Sequence, residues 1–185
     1  LLTMLCGFLP ALNVVSEKER GTIEQINVTP VGRWIFILGK MIPYWIIGFV
    51  VLTLGIVLSG LVYGLFPAGS LVVLYLLSIV FVLAIAGLGL IISNYSATMQ
   101  QAMFVIFFCM LIFILMSGMF TPVESMPQWA QFITIFNPLK YLVQVMRAIY
   151  LKGAGLADLS VQAGALLAFA TVFDSLAVWS YRKKS

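Results

Sequence analysis

The sequence predicts an all-α membrane protein, a polytopic helical bundle, and three observations carry that prediction. Of 185 residues, 63% are hydrophobic and only 9% are charged, whereas an ordinary globular domain carries about 25% charged residues. From Met41 to Val123 no Asp, Glu, Lys, Arg or His interrupts a stretch of 83 residues. About 20 apolar residues cross about 30 Å of hydrocarbon, so this stretch has room for three spans and two short turns. The alternating pattern of a barrel strand is missing, and backbone groups in lipid must be satisfied within their own segment, so the apolar runs read as helices.

The same composition excludes other classes. A net charge of +4 is too small and too scattered for a nucleic-acid surface, and the basic residues read instead as topology signals. There is no His, and Cys6 and Cys109 lie in apolar segments with no second ligand at metal spacing. No metal site is expected, and both cysteines read as small buried hydrophobes.

Taken in order, residues 1–15 are apolar but short, and they read as the end of a span that begins upstream of this sequence. Residues 16–40 form the first polar region. Residues 41–65 are a span, and 66–70 a turn marked by Pro67 and Gly69. Spans follow at 71–92 and 102–120, joined by the uncharged polar stretch 93–101. Residues 121–160 form a longer connection with helical signals of its own. Residues 161–180 are the last span, and 181–185 a basic tail.

Four complete spans put the first polar region and the tail on one face. That face holds Lys18, Arg20, Arg33, Lys40, Arg182, Lys183 and Lys184, against Lys140, Arg147 and Lys152 on the other. The excess of basic residues predicts that the first face is cytoplasmic.

The first polar region is rich in helix-start chemistry. Ser16 to Glu19 and Thr22 to Gln25 each fit a capping box, Gly21 is suited to end the turn between them, and Thr29-Pro30 is a third start signal. Two short helices in tandem are the expectation, although a solvated loop uses the same residues. In the long connection, Ser125 or Met126 is expected to cap a helix starting at Pro127, with Trp129, Phe132, Ile133 and Phe136 as its apolar residues. Asn137-Pro138 opens a second helix. There Leu139, Leu142, Val143, Met146 and Ile149 make an apolar stripe opposite Lys140, Gln144 and Arg147. At about 14 residues and 1.5 Å each it is too short to cross, so the pair reads as dipping back into one leaflet. A surface-anchoring pair fits as well, with Trp129 and Tyr150 as interfacial anchors.

Within the spans, Gly60-x-x-x-Gly64 with Ser59 offers a small-residue face for close helix packing. Asp174 is the one ionisable residue inside a complete span. It is a candidate for a pathway or for pairing with another helix, because an intramembrane carboxylate has to be hydrated, paired or protonated.

Glu17-Lys18-Glu19-Arg20-Gly21-Thr22-Ile23-Glu24-Gln25, followed by Val28-Thr29-Pro30-Val31 and by Leu38-Gly39-Lys40-Met41-Ile42-Pro43-Tyr44, resembles the permease subunits of type-2 ABC exporters, in their drug- and antibiotic-export-like branch. The resemblance runs from the second span of that family to the C-terminus. It implies that Glu17, Glu19, Arg20, Gly21, Thr22, Glu24 and Gln25 belong to the cytoplasmic coupling helix region, which docks on an ATP-binding subunit. It also implies that Pro127, Trp129, Asn137, Pro138 and Arg147 belong to external re-entrant helices before the last span. The function so implied is export of a hydrophobic or amphipathic substrate, a drug, antibiotic or lipid, from a cell membrane.

The chain itself is then no enzyme. Its nearest P-loop mimic, Gly32 to Gly39-Lys40, has six intervening residues and is followed by Met41, so it lacks the spacing and hydroxyl that the motif needs. ATP and Mg are expected on the partner subunit, with a second permease subunit and membrane lipids as the other partners. A secondary transporter or channel is the alternative, though such carriers use intramembrane charges and broken helices. A non-transporting membrane scaffold would need no docking helix.

Overall fold

The computed structural model describes residues 1–21 and 33–180, with the backbone alone for 33–38 and Lys40. The described chain is helical throughout, with no strand. A short π-helical segment, Met4–Phe8, runs into α1 (Leu9–Glu19). Then come α2 (Arg33–Tyr63), α3 (Leu71–Tyr95), α4 (Met99–Leu115), α5 (Gln128–Thr134), α6 (Pro138–Lys152) and α7 (Ser160–Ser180). Among the described residues, three segments are long and apolar enough to cross a membrane, Met41–Tyr63, Leu71–Tyr95 and Ser160–Ser180, while α4 is a shorter apolar helix. The polytopic all-α class read from composition is the class observed.

Helix α3 is the axis of the bundle. Its residues Leu74, Leu77, Phe81 and Ile85 join Ala11 of α1, Ile106 and Met110 of α4, Leu142, Val145 and Ile149 of α6 and Leu166 of α7 in one buried cluster. This central role follows from composition. Ala84, Ala86, Gly87 and Gly89 give α3 a band of small residues, and small residues let helix backbones approach closely. A methyl group added at Gly89 would strike the backbone carbonyl of Gly7, and one added at Gly87 would strike the backbone and carboxylate of Asp174 in α7. Two neighbours are thus seated on one helix by two glycines.

Within this chain the Gly60-x-x-x-Gly64 stripe is not a helix-packing face. Helix α2 ends at Tyr63, and Gly64 lies beyond it with φ +64°. The space over Gly60 is filled by the ring of Phe66, because the chain turns back on itself there. Spacing alone could not show that the helix stops inside the motif.

The first polar region also departs from expectation. Ser16 does not cap a new helix but lies inside α1, which runs on to Glu19. The apolar run of α1 therefore carries Glu17, Lys18 and Glu19 out as one rigid rod. Gly21 follows with φ +72°, a turn conformation that suits its lack of a side chain. The second capping box and the Thr29-Pro30 start lie outside the described residues. Helix α2 continues through Pro43.

In the long connection, Val123–Ser125 is one 3-10 turn, and α5 starts at Gln128 with Pro127 in the cap position and no side-chain cap. Ser125 and Met126 do not cap it. Ser125 instead donates its hydroxyl to the Pro122 carbonyl. The expected apolar face of α5 is turned outward: Trp129, Phe132, Ile133 and Phe136 are exposed, while Ala130 and Thr134 are buried. Outward apolar residues are what a helix dipping into a leaflet or anchored at its surface requires.

Helix α6 opens as expected. The Asn137 side chain caps it by accepting from the Leu139 amide at 3.0 Å, Pro138 stands at the first position, and Gly153 closes the helix in a left-handed conformation. Its buried residues are Pro138, Leu142, Val145 and Ile149, so of the stripe read from sequence Leu142 and Ile149 are buried while Leu139, Val143 and Met146 are half-buried.

Candidate functional site

The polar groups gather at the two ends of α3. At its C-terminal end, Lys18 donates its ammonium to the carbonyls of Ser93 at 2.5 Å and Asn94 at 2.9 Å. These carbonyls belong to the last turn of α3, where carbonyl groups have no helical partner and the helix dipole is negative. Its neighbour Glu19 accepts from the amide of Met99 at 2.6 Å, the first residue of α4. There the amides are unpartnered and the dipole is positive. Adjacent residues of opposite charge thus grip the opposite poles of two successive helices.

The turn between α3 and α4 is built to be gripped. Thr98 caps α4 by accepting from the Gln101 amide at 3.2 Å, and the Gln101 side chain accepts in return from the Ala97 amide at 3.1 Å. This is a close variant of the capping box. Asn94 extends the clamp to α7, donating to the Ala177 carbonyl at 3.1 Å and the Ser180 hydroxyl at 2.8 Å. Four helix ends, those of α1, α3, α4 and α7, are joined in one polar layer. Burial pushes the Lys18 ammonium below the ordinary lysine pKa.

Of the residues that the sequence singles out, Glu17, Glu19, Arg20 and Gly21 lie on or just beyond the last turn of α1, with Glu17 and Lys18 half-buried and Arg20 exposed. Thr22, Glu24 and Gln25 lie outside the described residues. Pro127, Trp129, Asn137, Pro138 and Arg147 belong to the other end of α3. There the Gly69 amide before α3 donates to the Ile149 carbonyl of α6 at 3.0 Å. Asn137 is buried and donates to the Phe113 carbonyl of α4 at 2.8 Å. That bond fixes the start of α6 within the last turn of α4, and α6 runs from there to Gly153. Arg147 donates to the Gly118 carbonyl at 3.0 Å and holds the loop after α4. Asp174 is half-buried against Gly87, and no hydrogen bond or ion pair reaches its carboxylate among the described residues. No group of side chains there could hold a metal ion.

Reading by sequence passed over Lys18, Asn94, Thr98 and Gln101. The Thr98-x-x-Gln101 spacing was a visible signal for a helix start. Lys18 was not legible as a clamp, since its role depends on α1 continuing past Ser16.

The comparisons agree with this architecture. Residues 1–179 match the family model described as ABC-2 family transporter protein. The chain is similar to the probable multidrug ABC transporter permease YbhR of Escherichia coli (strain K12), 34% identical over 174 residues, covering 94% of this chain and 47% of the relative. It is also similar to the probable multidrug ABC transporter permease YbhS of the same organism, 30% identical over 185 residues, covering 100% of this chain and 49% of the relative. The linearmycin resistance permease protein LnrN of Bacillus subtilis (strain 168) is 27% identical over 177 residues, covering 93% of this chain and 44% of the relative. The chain spans about half the length of the curated relatives it matches. With a family match along almost all of the chain and the apolar helices that a membrane permease needs, this protein belongs to the ABC-2 family of transporter proteins.

Proposed function

We propose that this chain is the membrane-spanning permease part of an ATP-binding cassette exporter. It moves a hydrophobic or amphipathic substrate, a drug, antibiotic or lipid, out of the cytoplasm. ATP, with Mg, is bound and hydrolysed by a separate cytoplasmic subunit, and a second permease subunit completes the path within the lipid of the cell membrane. The end of the bundle carrying Lys18 and Glu19 faces the cytoplasm, as does the C-terminus, while α5 and α6 re-enter from the outside.

One observation carries the reading. The segment expected to dock on the ATPase, Glu17 to Gln25, is described as far as Gly21, and its Lys18 and Glu19 are hydrogen-bonded to the two sides of the α3–α4 turn. A push on that segment is therefore delivered to the ends of three other helices at once. The rigid rod of α1 makes such a transfer possible, and a two-state element biased by nucleotide is what conformational work requires. Names of relatives that include multidrug permeases and a resistance permease favour an apolar or amphipathic substrate.

The test is reconstitution of the full-length protein with its ATP-binding subunit in vesicles, with ATPase rate measured against a panel of lipids, hydrophobic drugs and glycans. Stimulation by a lipid or drug is expected. Uptake driven by a proton gradient with no nucleotide present would instead establish a secondary carrier.

A further inference from the structure

At the end of α3 opposite Lys18 there is a cleft of about 410 Å³ between the loop after α4, the outer half of α6 and the start of α7. Its lining includes Glu124, Gln144, Arg147, Leu151, Lys152 and Gln162. We propose that this cleft seats the phosphate-bearing headgroup of a membrane lipid, one that also carries a hydrogen-bond donor such as an amine or hydroxyl.

Charge and hydrogen bonding set the ligand class. Two cations, Arg147 and Lys152, face one carboxylate, Glu124, so the cleft favours an anion. Arg147 spends one nitrogen, Nη2, on the Gly118 and Met119 carbonyls. A guanidinium has five N–H donors in a planar fork that suits phosphate oxygens, so most of its donors remain for a ligand. At the α7 side, Gln162 Oε1 is buried with no hydrogen-bond partner. A buried acceptor left unmade is costly, and such a group calls for a donor. Phosphate on Arg147 and Lys152 with an amine or hydroxyl on Gln162 satisfies both needs.

Position identifies the lipid as the source. The cleft stands where α6 and α7 meet the end of the bundle, beside the exposed apolar side chains of Leu151 and Val161. A headgroup held there leaves its acyl chains free to run down the apolar outside of the helices. Which leaflet it belongs to, the outer one, rests on the orientation proposed above. Binding itself does not.

The experiment uses the full-length protein in nanodiscs of phosphatidylethanolamine or of a phosphate-free galactolipid. After detergent extraction, native mass spectrometry counts retained lipid. The phospholipid should be retained, and Arg147→Gln with Lys152→Gln should lower its retention at least about tenfold, consistent with the loss of charge-assisted hydrogen bonds. Because Arg147 also holds the loop, Lys152→Gln and Gln162→Leu are measured separately; neither side chain makes a hydrogen bond among the described residues, and each should lower retention severalfold. Excess inorganic phosphate should not displace the lipid. Equal retention of galactolipid, unchanged retention in Lys152→Gln and Gln162→Leu, or displacement by free phosphate would overturn the assignment. No nucleotide or transport is involved, so failure here leaves the exporter reading standing.

Discussion

Lys18 and Asn94 lie 76 positions apart in the chain, yet the Lys18 ammonium donates to the Asn94 carbonyl at 2.9 Å. The bond ties the last turn of α1 to the last turn of α3, and the Glu19 contact to Met99 ties the same turn to the start of α4. In the proposed exporter the clamp would be a mechanical part as much as a stabilising one. Burial holds the Lys18 pKa down, so the desolvation of the ammonium offsets much of what its hydrogen bonds contribute. Lys18→Met should accordingly lower stability by only about 1 kcal/mol, read as a small fall in melting temperature of the purified protein.

That depressed pKa has a defined pH signature. The folded protein releases the Lys18 proton below 10.5, while the unfolded chain still holds it. The unfolded state then binds more protons, so this residue's contribution to stability rises with pH in the window below 10.5. The melting temperature of wild type relative to Lys18→Met should climb as pH approaches that value. A falling difference would show that the ammonium is not desolvated.

Glycine packing on α3 gives a sharper stability test. Gly87→Leu forces a side chain into the α7 backbone at Phe173 and Asp174, and should destabilise by about 1–3 kcal/mol or more. Gly55→Leu, on the α2 surface where nothing lies within 4 Å, should change stability by less than about 0.5 kcal/mol. Thermal unfolding in detergent of the two variants checks the ranking.

Asn137 joins α4 to α6 and caps α6 at once. Asn137→Ala removes the cap and leaves the Phe113 carbonyl without its side-chain donor. A loss of about 1–3 kcal/mol is expected, with faster proteolysis of the 121–137 connection as the accompanying readout.

These cases show where sequence reading succeeded. The all-helical class was legible because 83 residues without a charge admit few structures; of the three spans read there, two meet helices long enough to cross and the third meets the shorter α4. The start of α6 was legible because Asn137-Pro138 is a local signal that needs no partner. The end of α1 was misread, since a capping box at Ser16 competes with continuation of an apolar helix and tertiary packing decided for continuation. The outward position of Trp129 and Phe132 on α5 suits the leaflet-dipping or surface-anchoring helix read there. Gly87 and Gly89 were passed over for Gly60 and Gly64, because only the fold reveals which glycines meet a backbone. The candidate site was half visible: Glu19 stood in the motif, but its partner Met99 lies 80 positions away.

Trp129 supplies a direct check on α5. In a variant retaining it as the sole tryptophan, brominated lipids should quench its fluorescence strongly, as its exposed ring predicts. Weak quenching would mean that another protein surface covers α5.

The central claim is that motion at the docking segment reaches the helices through Lys18 and Glu19. Its most direct measurement is the ratio of substrate moved to ATP hydrolysed, for the full-length protein with its ATP-binding subunit in vesicles. In Lys18→Met with Glu19→Gln the ratio should fall severalfold while basal hydrolysis persists, because the motor still turns and the grip is gone. An unchanged ratio in a correctly folded double variant would contradict the claim.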